Sequence, residues 1–227
     1  MPRDTYQDEL EALRADVLAM GELVTDRLDA ALACLVTRDT DRARELIEGD
    51  EQVNDRYVDL EEQCVELYAL QQPVASDLRF VTASCKILTD LERVGDLATN
   101  LADHATAGER EPTAGVQFAE LEGVGREAFG LVERALDAYE TGDADACRAI
   151  AADDDEIDAL CQRAGETVAR DLIEREADGS AWAVETLLDD VSRLLLTIRD
   201  IERVGDHAVN IAARTLYMAE NDRDLIY

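Results

Sequence analysis

The chain carries DLERVGDLATN at Asp90–Asn100 and DIERVGDHAVN at Asp200–Asn210. Both strings hold Glu-Arg-Val-Gly-Asp in the same order, with an Asn four residues after the Asp. At about 100° per residue, positions four apart lie nearly above one another on a helix. Glu92, Asp96 and Asn100 therefore form one oxygen-rich stripe, and Glu202, Asp206 and Asn210 form a second. Leu91, Val94 and Leu101 run beside the first stripe, and Ile201, Val204 and Ile211 beside the second. Each polar stripe thus borders a buried face instead of standing opposite it.

The repetition extends outward. Thr37, Asp39, Asp41, Arg44, Asp50 and Val53 match Thr141, Asp143, Asp145, Arg148, Asp154 and Ile157, all 104 residues apart (Thr37 to Thr141). The two strings stand 110 residues apart (Glu92 to Glu202), so the difference falls in the connection between the second and third helices of each half. Loops tolerate such insertions.

Apolar spacing marks three helices per half. The first carries Leu10, Leu13, Val17, Met20, Val24, Leu28, Leu32 and Leu35, and stops at Thr37-Arg38-Asp39-Thr40, which supplies an N-cap for the next. The second carries Val53, Tyr57, Leu60, Cys64 and Leu67 and ends before Pro73. The third, capped by Ser76 or Asp77, runs through Phe80, Ile87, Leu91, Val94 and Leu101. TAGEREP, from Thr106 to Pro112, is the clearest break. Beyond it, one helix runs from about Gln117 to Tyr139, and another carries Ile157, Leu160, Val168 and Leu172 and ends near Ala177-Asp178-Gly179-Ser180. The last carries Leu187, Val191, Leu194, Ile198, Ile201 and Val209. The expected fold is all-α: six long helices in two tandem three-helix bundles, residues 1–107 and 113–227, related by an internal pseudo-twofold repeat.

Composition agrees. With 227 residues, 47% of them hydrophobic and only 4% aromatic, the chain suffices for one large or two small cores rich in helix formers. Its formal charge of −31 repels nucleic-acid backbones and excludes a nucleic-acid role. Lys86 is the only lysine, and this acid-rich, lysine-poor balance resembles proteins of extreme halophiles, where salt screens the repulsion. Most acidic residues are accordingly solvated surface. The five cysteines are odd in number, form no CxxC pair and sit among apolar helical positions, which indicates buried free thiols in a reducing cytosol. MPRDTYQDELEALR lacks the apolar stretch of a signal peptide, and no run approaches the ~20 apolar residues of a membrane span. A soluble, cytoplasmic protein without a transmembrane segment is expected.

Like charges four apart repel on a helix, and a cation between them reverses the sign. One helix cannot complete a coordination shell, but the preceding helix carries a matching pair in each half: Asp50 and Asn54, then Asp154 and Asp158. Packed antiparallel, two such helices would bring four oxygen-bearing side chains together. All-oxygen ligands suit Mg, Mn, Ca or iron better than zinc or copper. Arg93 and Arg203 could instead pair these carboxylates as ordinary surface; that accounts for any one pair, but poorly for pairs in register on both helices of both halves. Gly95 and Gly205 are unfavourable in mid-helix by about 1 kcal/mol and imply close approach of a neighbouring helix or a ligand shell. His104 sits near a helix C-terminus, where a cation is favoured, and His207 points to a different face from Asp206. Neither has a Ser or Cys partner, so no nucleophilic constellation exists. A helical di-metal carboxylate enzyme would supply Glu-x-x-His motifs, which are absent; a metal-free helical adaptor is the other alternative.

The paired motifs, the tandem three-helix plan and Pro-Val-Ala-Ser-Asp-Leu-Arg at 73–79 together resemble the PhoU family of phosphate-uptake regulators, over essentially the whole chain. The resemblance implies a cytoplasmic, non-enzymatic homodimer that holds down phosphate uptake through the phosphate-specific ABC transporter. Its implied partners are the transporter's ATPase subunit and, in bacteria, a sensor kinase. It also implies divalent or iron-type metal ions, multinuclear in some members, held by Asp50/Asn54 with Glu92/Asp96 and by Asp154/Asp158 with Glu202/Asp206. Two features depart from the family pattern. Asn54 replaces a carboxylate and lowers the charge of the first site, and the second half has SAWAVETLL in place of a counterpart to 73–79.

Overall fold

Apolar residues three and four apart wind the chain into helices, and the computed structural model describes residues 3–70, 75–106, 118–175 and 181–226. Among the described residues there are seven helices and no strand: α1 (Arg3–Thr37), α2 (Thr40–Glu48), α3 (Glu51–Leu70), α4 (Ala75–Thr106), α5 (Phe118–Thr141), α6 (Ala144–Arg175) and α7 (Ala181–Glu220). The breaks expected at Pro73, within TAGEREP and at Ala177–Ser180 lie outside the described residues, as does the boundary expected between 107 and 113. Helix α4 begins at Ala75, so Ser76 and Asp77 stand in its first turn rather than capping it.

Both long first helices end in the same way. Arg38, at φ 55°, and Gly142, at φ 72°, are equivalent positions of the repeat in the left-handed region. Their N–H groups bond Cys34 O (2.9 Å) and Ala138 O (2.7 Å), the arrangement of a left-handed C-terminal cap. The next residues then start new helices: Asp39 accepts from the Arg42 N–H, and Asp143 from the Asp145 and Ala146 N–H groups.

One helix departs from the expected six. Where spacing predicts a single helix from Thr40 towards Pro73, the structure has two, broken at Gly49-Asp50. Carbonyls at a break lose their helical partners, and Arg27 of α1 supplies replacements. Its guanidinium donates to Leu46 O (2.7 Å) and Gly49 O (3.0 Å). A Cβ on residue 49 would stand 3.1 Å from Arg27 Nη1, so the glycine makes room for the arginine. At the equivalent positions the second half has Asp153 and Leu131, and α6 runs through unbroken.

The two halves of the repeat share one core: α1 and α4 lie against α5 and α7, with α2–α3 and α6 on the flanks. The seam is built twice. Leu136 of α5 sits over Gly21 of α1, where a Cβ would approach its Cδ2 to 2.6 Å, and Leu32 of α1 sits over Gly125 of α5. Gly21 and Gly125, like Leu32 and Leu136, are equivalent in the repeat, so the contacts are images across a pseudo-twofold axis. The buried Tyr139 hydroxyl meets Ser84 Oγ at 2.7 Å, joining α5 to α4.

The repeated strings also meet across this seam. His207 Nδ1 bonds Asp90 Oδ1 and His104 Nε2 bonds Asp200 Oδ2, each at 2.9 Å. Asp90 and Asp200 are the first residues of the two strings, and each takes its histidine from the other half. Both histidines thus serve the joint between bundles.

Candidate metal centre

Each candidate site lies where a flanking helix meets its motif helix. In the second half α6 presents Asp154 and Asp158, and α7 presents Glu202 and Asp206. The helices come close at Gly205, where a Cβ would collide with Asp154 Oδ1 and lie 3.9 Å from Ile157 Cγ2. The missing side chain therefore lets the Asp154 carboxylate rest against the α7 backbone. Asp154 is only 8% exposed, and its Oδ1 has no hydrogen-bond partner.

An unpartnered buried carboxylate resists ionisation. Burial first, then Asp158, Asp206, Asp155 and Glu202, push the pKa of Asp154 up to about 7. Burial and the neighbouring Asp206 and Asp155 raise that of Asp158; burial, Asp158 and Asp206 raise that of Glu202. Asp158, Glu202 and Asp206 are exposed. Among the described residues, no three His, Cys, Asp or Glu side chains stand close enough to hold a metal ion as placed.

The first half is built differently. Asp50 lies at the break between α2 and α3, where its Oδ1 accepts from Thr99 Oγ1 (2.7 Å) and stands 3.6 Å from Arg27 Nη2. Arg27 also donates to Thr99 Oγ1 (3.2 Å), so the three side chains form a closed triangle. Burial and then Asp96 raise the pKa of Glu92, and burial and then Asp50 raise that of Asp96. Arg93 opposes both shifts from 3.4 Å. Asn54 and Asn100 are exposed. Gly95 admits Val53 of α3, whose Cγ1 would lie 3.0 Å from an added Cβ. One motif glycine therefore serves helix packing and the other makes room for a carboxylate.

Asn210, which extends the second stripe in sequence, donates to Asp90 Oδ1 (3.2 Å) and so belongs to the seam between halves. Sequence reasoning missed Arg27, Thr99, Asp90 and Asp200. A signal for the first two existed, because Leu131 and Val209 replace them in the repeat. Asp200 is fully buried; burial pushes its pKa up, but hydrogen bonds from His104 and Arg199 outweigh that and hold it below the ordinary carboxylate range.

Comparison with known proteins places this arrangement in a family. The PhoU domain model matches residues 17–105 and 121–215, one copy in each half. The chain is 35% identical over 219 residues to the phosphate-specific transport system accessory protein PhoU homolog of Pseudomonas putida, covering 94% of this chain and 80% of that protein. It is 32% identical over 215 residues to the phosphate-specific transport system accessory protein PhoU of Escherichia coli strain K12, covering 93% and 84%. The crystal structure of PhoU from Pseudomonas aeruginosa superposes with a TM-score of 0.84 at 32% identity, covering 96% of this chain and all of that one. The phosphate transport system regulatory protein PhoU from Streptococcus pneumoniae gives 0.81 at 26% identity, covering 96% and 98%. Fold, internal repeat and sequence agree over nearly the full length, and the chain belongs to the PhoU family.

Proposed function

We propose that this chain is a non-catalytic regulator that restrains phosphate uptake by acting on the ATPase subunit of a phosphate-specific transporter, with a metal-binding face on α6 and α7. The regulatory reading is supported by relatives that are named accessory proteins of the phosphate-specific transport system. A cytoplasmic homodimer, and a sensor kinase as second partner where one exists, belong to the same proposal. Among the described residues no helix is long and apolar enough to cross a membrane, which agrees with a partner acting from outside the bilayer.

The observation that carries the metal reading is the Asp154 carboxylate, buried against Gly205 with one oxygen unpartnered. Buried polar atoms without a partner are rare in folded proteins. A hard cation such as Mg, Mn, Ca or iron would satisfy that oxygen and neutralise the repulsion from Asp158, Glu202 and Asp206. Four carboxylates suffice to bridge two ions, so a multinuclear form remains within the proposal. Asp50, by contrast, already has the Arg27 guanidinium beside it, and Asn54 adds no charge. Asp50, Asn54, Glu92 and Asp96 therefore form the weaker of the two sites.

Deleting the gene is expected to cause excess phosphate accumulation, reversed by the wild-type copy; unchanged accumulation would sink the regulatory reading. Affinity capture from cells grown in high and low phosphate is expected to recover the transporter's ATPase subunit in one state. Elemental analysis, and titration of metal-free protein with Mn2+ or Fe2+, address the metal separately. No uptake of either ion would retire the metal site and leave regulation standing.

A further inference from the structure

A cysteine pair in the first half has no counterpart in the second. Cys64 of α3 and Cys85 of α4 stand opposite one another across the antiparallel helix pair. The register is fixed on both sides of them. On one side Tyr68 Oη donates to Thr82 Oγ1 at 3.0 Å, and on the other Val53 packs on Gly95. Between these contacts the same register sets Cys64 opposite Cys85, near enough that each thiol shifts the pKa of the other.

The two thiols differ in character. Cys64 is fully buried, and the neighbouring Cys85 thiol and burial push its pKa well up. Cys85 is half-buried, and the neighbouring Cys64 thiol outweighs burial and the nearby Glu61. Lys86, the only lysine in the chain, assists, so the Cys85 thiol lies below the ordinary thiol range. The remaining cysteines are buried and quiet: burial raises Cys34, and raises Cys147 and Cys161 to about 11 and about 12. Val168 and Leu195 occupy the equivalent positions in the second half, so packing alone does not require sulfur at this layer.

We propose that Cys64 and Cys85 are a redox-active dithiol that closes reversibly to a disulfide, pinning α3 to α4. The oxidant class is a peroxide. The Cys85 sulfur attacks one oxygen of hydrogen peroxide, the O–O bond breaks, and the departing oxygen takes a proton and leaves as water. Cys85 is then a sulfenic acid. The Cys64 sulfur attacks it, the S–O bond breaks, and the hydroxyl leaves as a second water with the Cys64 proton. Two electrons pass from the sulfurs to the peroxide, and a dithiol reductant reverses the change. The inference does not depend on the phosphate or metal reading.

The test treats the reduced, full-length, metal-free protein with hydrogen peroxide under native conditions, then counts thiols after denaturation. The count is expected to fall from five to three, with Cys64 and Cys85 recovered as one linked pair lacking two hydrogens. Cys64→Ser is expected to leave Cys85 as a sulfenic acid trapped by dimedone, and Cys85→Ser to keep its four thiols. A double variant, C64V and C85L, copies the second half; it should fold with unchanged helicity and resist peroxide. A native count that stays at five would overturn the proposal. So would lost thiols that map to Cys34, Cys147 or Cys161, or oxidation of Cys85→Ser at the wild-type rate.

Discussion

Replacing Asp154 by Asn removes one charge from the second site and keeps its shape. In the unfolded chain this carboxyl has an ordinary pKa of 3.8, and in the fold it is pushed up to about 7. A raised folded-state value means that the stability it contributes is complete below pH ~4 and is lost as the pH climbs through ~7. At about 1.4 kcal/mol per unit, the ionised form costs the metal-free protein on the order of 4 kcal/mol at pH 8. D154N escapes that penalty, and its amide N–H groups can donate to the neighbouring carboxylates. Metal-free D154N should therefore match wild type near pH 4 and exceed it at pH 8, by up to ~4 kcal/mol or roughly 8–16 °C in Tm for a chain of this size. Thermal and urea denaturation with a chelator, at fixed ionic strength from pH 4 to 8.5, reads the difference. Adding Mn2+ should reverse the order, raising the wild-type midpoint and leaving D154N unmoved. Equal midpoints at pH 8 in chelator would refute the reasoning, because a buried carboxylate that costs nothing when ionised already has a partner.

Arg27→Leu, which copies Leu131, strips Leu46 O and Gly49 O of their donor and Asp50 of its ion-pair partner, and should cost about 3–5 kcal/mol in urea unfolding. A loss under ~1 kcal/mol would mean that the break between α2 and α3 does not rely on it. Gly205→Ala drives the Asp154 carboxylate off the α7 backbone and is expected to weaken Mn2+ binding by about tenfold or more, whereas Gly95→Ala meets only the apolar Val53 side chain and should leave it intact. Matching Mn2+ affinities in the two variants would exclude this division of labour. Asp200, held below the ordinary range, contributes stability that is present above its unfolded value and lost as the pH falls through the folded one. Asp200→Asn should thus cost about 1–3 kcal/mol at pH 7, with the gap narrowing as the pH falls below ~4 towards the folded value; a gap that widens as the pH falls contradicts it.

Helix positions and the internal repeat were legible in the sequence because both are carried by local spacing. Leu91, Val94 and Leu101, with Ile201, Val204 and Ile211, are buried beside their stripes as the period requires. The break at Gly49-Asp50 was not legible, because its stabilising group, Arg27, comes from another helix. For the same reason His104 and His207 gave no hint of Asp200 and Asp90, whose partnership exists only once the halves meet. The lower charge that Asn54 gives the first site was legible, but Arg27 against Leu131 and Thr99 against Val209, which set the two sites further apart, were overlooked. A mismatch within an otherwise faithful repeat marks where the copies have taken different chemistry.

The seats of Leu136 on Gly21 and Leu32 on Gly125 give each half both a peg and a socket. Because Gly21 and Leu32 lie on the same helix, two identical half-chains would present matching pegs and sockets to one another. The present molecule is in that sense a pair of twins made from one template and joined end to end. Joining frees twins from sameness, since a residue can now change on one side without appearing on the other. An arginine inside one half and a bare carboxylate inside the other are differences that a symmetric pair could never have held.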